Sequence, residues 1–86
     1  MSDHSNQITV LFFATLRDRA GVKSLSLDLP PGASVKDLKE RLIQTNPNLT
    51  QAMETALVAI NREYAFDETV IPDNAEVALF PPVSGG

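Results

Sequence analysis

Cysteine is absent from the 86 residues. No disulfide can staple the fold, and no thiol is available as a nucleophile or metal ligand. A reducing compartment is therefore permitted, and the cytoplasm is the expected location. Histidine occurs once, as His4, in a polar stretch with no other ligand type clustered around it, so no metal site is expected. Basic residues are few: seven Lys and Arg stand against eleven Asp and Glu, the net charge is −4, and the seven form no stripe. Binding nucleic acid requires clustered cations to neutralise phosphates, so that class is disfavoured, and a protein partner is expected to present a basic surface. No apolar run reaches the roughly 18 residues of a membrane span. The opening residues Met1 to Gln7 carry no basic segment of the kind that begins a signal peptide.

What is present fits one small domain. Residues 1–6 read as a frayed leader, 7–82 as the folded domain and 83–86 as a flexible tail. Gln7 to Ala14 (QITVLFFA) is rich in β-branched and aromatic residues and predicts a strand. Thr15 to Ala20 predicts a helical turn stopped by Gly21. Lys23 to Leu29 alternates strictly, with Leu25, Leu27 and Leu29 on one face, and predicts a second strand. After the Pro30-Pro31-Gly32 turn, Ser34 and Asp37 have capping-box spacing, and Val35, Leu38 and Leu42 give one apolar helix face. Lys36, Lys39, Glu40 and Arg41 take the solvated side. Pro47 ends this helix by restricting Asn46. A short helix over 49–55 follows, then strands over 57–60, 64–66 and 76–80, with turns at 61–63 and 72–74. The order is β-β-α-β-β-β, an α+β class with a mixed sheet and one main helix packed on one face.

The chain ends Pro81-Pro82-Val83-Ser84-Gly85-Gly86. Proline cannot donate to a ladder, so pairing stops at Pro81. From there to Gly86 the reach is up to about 20 Å, enough to enter another protein's active site. Glycine lacks Cβ and lets a backbone pass a narrow channel. The reactive group at the tip is the Gly86 carboxylate. It is a poor electrophile until activated, and an acyl-adenylate made from ATP would activate it. A sulfur nucleophile replacing AMP would then leave a thiocarboxylate, which stores sulfur on a tether.

Val10-Leu11-Phe12-Phe13-Ala14, then Arg17 and Gly21, resemble the VLFFAxxRxxxG opening of the small, sulfur-carrying subunits of molybdopterin synthase. The run Glu76 to Gly86 (EVALFPPVSGG) is similar to their EVAFFPPVSGG terminus, and Ala59-Ile60-Asn61 to their AVN. The carriers of the thiamine pathway share Gly-Gly but lack the FFAxxR and FPPV elements. One departure is Asp73-Asn74-Ala75, where the family often has a Gly-Asp turn. The resemblance implies a ubiquitin-like β-grasp fold and a non-catalytic role as sulfur donor. It implies two partners, an adenylating enzyme that uses ATP and a large synthase subunit. The small chain itself would hold no cofactor. The implied assembly has two small and two large subunits, and the product is the dithiolene of molybdopterin. Gly86 would carry the sulfur, and Val83, Ser84 and Gly85 would lie in the partner's active site.

Alternation gives an independent reading of the surface. Ile8, Val10 and Phe12 share one side of the first strand, and Thr9, Leu11 and Phe13 the other; Val77 and Leu79 oppose Ala78 and Phe80. One helix covers one face of a sheet, so the apolar residues of the other face are either covered by loops or left for a partner. The resemblance implies partner contacts for Phe13 and Phe80, which places them close together on the face away from the helix. Tyr64 falls where the family tends to have an apolar interface residue, although the type differs. Arg17 matches the family's charge; it either pairs with an acidic group on a partner or is solvated. Two other functions share the chemistry up to the adenylate: a ubiquitin-like modifier that forms isopeptide bonds, and sulfur carriage for thiamine or tRNA thiolation.

Overall fold

A computed structural model describes residues 6–82. The readings of residues 1–5 as leader and of Val83 to Gly86 as tail lie outside the described residues. The elements are β1 (Asn6–Phe12), α1 (Thr15–Ala20), β2 (Ser24–Leu29), α2 (Val35–Thr45), a 3-10 turn (Pro47–Leu49), α3 (Thr50–Thr55), β3 (Leu57–Ile60), β4 (Glu63–Ala65) and β5 (Glu76–Phe80). The five strands form one sheet in the order β2-β1-β5-β3-β4. β1 and β5 run parallel at its centre, and the other pairs are antiparallel.

The alternating pattern decides which side is core. Ile8, Val10 and Phe12 of β1 are buried, as are Val77 and Leu79 of β5 and Val58 and Ile60 of β3. Against them pack Leu16 of α1, Val35, Leu38 and Leu42 of α2, Leu49 of the 3-10 turn and Met53 of α3. Every helix therefore covers the same face. Burying a Leu or Val side chain is worth about 1.5–3 kcal/mol, so this one-sided core holds the sheet.

α2 starts as predicted. The Ser34 hydroxyl accepts from the Asp37 N–H, and the Asp37 carboxylate accepts from the Ser34 N–H at 2.9 Å. The next two free donors are met by the loop ahead of β5: Val35 N–H donates to the Thr69 carbonyl and Lys36 N–H to the Asp67 carbonyl, both at 3.0 Å. Ser34 also forms an isolated bridge to Val70.

Several boundaries differ from those the sequence predicts. β1 begins one residue earlier, because Asn6 is a buried polar anchor rather than part of a leader. Its amide donates to the Ile71 and Pro72 carbonyls at 3.3 and 3.0 Å, and its oxygen accepts from Asn74 N–H at 2.9 Å. At about 1 kcal/mol each, such bonds hold the end of β1 to the loop that leads into β5. β1 also ends earlier, at Phe12, because Ala14 turns the chain with φ 55°. β4 covers 63–65 rather than 64–66, since the preceding turn needs only Asn61 and Arg62. Lys39 is not simply solvated: it is ion-paired with Asp67 at 2.9 Å.

Candidate functional site: an uncovered groove beside the tail

The face that no helix covers carries the aromatic pair. In the parallel β1–β5 register Phe12 lies beside Leu79, so Phe13 falls beside Phe80 one step further on. The Phe13 N–H donates to the Leu79 carbonyl at 3.1 Å, which extends the ladder past the end of β1. The two rings stack, with centroids 4.8 Å apart and planes 13° apart. Such pairs add about 0.5–1.5 kcal/mol beyond area burial. Phe13 remains 41% exposed in spite of the stack, so its outer surface is available to another molecule.

The stack forms one end of a groove of about 370 Å³ lined by Leu11, Phe13, Ala59, Arg62, Tyr64, Glu76, Ala78 and Phe80. Ala59 on β3 and Ala78 on β5 sit opposite each other in the register, and their small side chains make the floor low. Tyr64 on β4 pairs with Ala59 and forms the outer wall; it is 77% exposed. Pro81 and Pro82 follow Phe80 directly and lie outside every strand, so the groove ends where the chain leaves the sheet.

Three of the four residues expected at a partner surface, Phe13, Phe80 and Tyr64, thus line one groove. Arg17 does not. It is exposed on α1, away from the groove lining; its N–H donates to the Ala14 carbonyl at 3.0 Å and its carbonyl accepts from the Gly21 N–H at 2.9 Å. Val83, Ser84, Gly85 and Gly86 lie outside the described residues. Arg62 and Glu76, at the far end of the groove, were not singled out by the sequence. Both are common surface residue types, and only the turn geometry brings them there. Among the described residues no group of three or more His, Cys, Asp or Glu could hold a metal ion, and no helix is long and apolar enough to cross a membrane.

A mixed sheet of order 2-1-5-3-4 wrapped on one side around a main helix is the ubiquitin-like β-grasp. The profile of the ThiS family matches residues 10–86, and the chain belongs to that family. It is 42% identical over 82 residues to the molybdopterin synthase sulfur carrier subunit of Chlamydomonas reinhardtii, a match covering 93% of this chain and 99% of that one. The subunit of the same name from Arabidopsis thaliana is 34% identical over 82 residues, covering 95% and 85%. Among solved structures, the small archaeal modifier protein 1 of Methanosarcina acetivorans superposes with a TM-score of 0.80 at 27% identity, covering 98% of this chain and 100% of that one.

Proposed function

We propose that this chain is the sulfur carrier subunit of a molybdopterin synthase and that its groove seats the large subunit. One observation carries the reading: a partly exposed aromatic stack on the uncovered face includes Phe80, the first residue of the FPPVSGG segment. The near-full-length relatives that bear this name support it.

The chemistry belongs to Gly86. An oxygen of its carboxylate attacks the α-phosphorus of ATP on an activating enzyme, and pyrophosphate leaves. A sulfide-level nucleophile then attacks the acyl carbon and AMP leaves, giving the thiocarboxylate. Docked on the large subunit, with Val83, Ser84 and Gly85 threading its active site, the tail presents this sulfur to a pterin precursor. Hydrolysis of the acyl–sulfur bond returns the Gly86 carboxylate. A dithiolene has two sulfurs, so each product consumes two charged carriers, in keeping with an assembly of two small and two large subunits. The chain acts as a donor and not as the catalyst, ATP is bound by the activating enzyme, and the cycle runs in the cytoplasm.

A second reading has specific support in the likeness to a small archaeal modifier protein. There the same adenylate would pass to a lysine amine and form an isopeptide bond. Intact mass spectrometry separates the two. Incubation with the activating enzyme, ATP and a sulfur donor should exchange one oxygen for sulfur at Gly86. Protein-sized adducts on lysines would favour the modifier, and an unchanged mass would rule out both.

A further inference from the structure

We propose that Arg62 fixes the direction in which the large subunit lies along the groove, by pairing with a carboxylate on that partner. This rests on the groove being the docking surface. An apolar trough is nearly symmetric end to end, and burial alone is non-directional. Yet sulfur delivery needs one orientation, with the partner's active site at the tail end. A charge at the opposite end is the simplest way to impose it, because like-charge contact in the reversed pose is penalised.

The geometry supplies such a charge. β5 starts at Glu76, beside Arg62, and ends at Phe80, beside the tail. Four steps at about 3.3 Å place the two ends about 13 Å apart. Arg62 is the one cationic side chain in the groove lining, and it has no ion-pair partner among the described residues, Glu76 included. Its guanidinium is free to take a carboxylate through two parallel bonds.

The backbone argues the same way. Asn61 and Arg62 have φ 49° and 75°, the geometry of a tight hairpin turn whose second position normally falls to glycine. The turn cannot relax, because Asn61 N–H donates to the Glu76 carbonyl at 2.8 Å and Asn61 Oδ1 accepts from Glu76 N–H at 3.0 Å. Arginine is therefore held in a conformation it disfavours. Besides asparagines and glycines, only Ala14 and Arg62 have positive φ among the described residues, and both border the groove: Ala14 follows Phe13, and Arg62 lines the far end. Strain of this kind gathers where function needs the side chain that causes it.

The test uses the full chain with the purified large subunit. Arg62→Gly should melt at the same temperature or a few degrees higher, since glycine suits the turn. It should bind about tenfold more weakly, with a shallower dependence of affinity on salt. Arg62→Glu should bind more weakly still. With either variant loaded as thiocarboxylate, sulfur transfer from the saturated complex should slow, because a fraction of complexes points the tail away. Phe80→Ala is measured alongside. Unchanged affinity of Arg62→Gly with weakened Phe80→Ala overturns the proposal and leaves the groove as docking surface. Unchanged transfer from the saturated complex overturns it too, as direction is then set elsewhere. If both variants bind like the unaltered chain, the docking surface itself is wrong and the proposal falls with it.

Discussion

Phe80 is the single side chain on which the proposed docking most depends. Its ring is stacked on Phe13 on the helix-free side of the sheet, half-buried, and outside the buried core. Truncating an aromatic at the dry centre of an interface commonly costs 2 kcal/mol or more, which is about 30-fold in affinity. Phe80→Ala should weaken binding to the large subunit by that factor while shifting the melting temperature far less than a core truncation does. Titration calorimetry and thermal melts of the same variant check this, and a variant that unfolds while its folded fraction binds normally would make Phe80 a core residue. The pair was legible because strand alternation put Phe13 and Phe80 opposite the buried residues, and because the family resemblance made their strands neighbours. Asn6, Ala14 and Arg62 were not legible. Asn6 depends on carbonyls 65 residues away in sequence, and the other two on backbone angles that side-chain type does not announce.

α2 shows how an element is assembled from local and distant parts. Its capping box was readable from the Ser34 and Asp37 spacing, because both partners lie within one turn. The carbonyls of Asp67 and Thr69 that meet the next donors come from another part of the chain, so no local pattern encodes them. Removing the Ser34 hydroxyl therefore frees a single donor rather than the whole first turn. Ser34→Ala should cost about 1 kcal/mol and lower the melting temperature by about 5 °C. Asp37→Ala should cost a similar amount. The two residues bond each other reciprocally, so the double variant should lose less than the sum. Additive losses in denaturant titrations would mean that the two bonds form independently. The one-residue displacement of β4 has the same origin as the α2 contacts: the two hydrogen bonds exchanged between Asn61 and Glu76 fix where the hairpin turns, and the short run 63–66 cannot show that by itself.

For the molecule as a whole, stability and chemistry occupy separate stretches of sequence. All buried side chains of the described residues lie between Asn6 and Leu79, whereas the proposed reactive group is at Gly86. Deleting Gly86 should abolish sulfur loading and leave the thermal melt within about 2 °C of the unaltered chain, less than the shift from about 0.5 kcal/mol in a domain of this size. Mass spectrometry after treatment with the activating enzyme reads the first, and scanning calorimetry the second. Molybdopterin formation supported by the deleted chain would defeat the mechanism. The α+β class and the main helix were legible because they follow from periodicity, the aromatic surface needed the family resemblance as well, and the placing of Arg62 at the far end of the groove required the finished sheet.

The central place of β5 has a consequence for how the protein is made. Among the described residues the strand in the middle of the sheet is made after the other four, and it alone joins the β1–β2 half to the β3–β4 half. A growing chain on the ribosome holds two unjoined hairpins until β5 emerges, so folding of the sheet waits for that strand. A prematurely terminated product lacks the strand that carries Phe80 and the segment beyond it. Such a product keeps Phe13 and Tyr64 but loses the Glu76, Ala78 and Phe80 side of the groove, so it would offer the partner only half of the proposed seat.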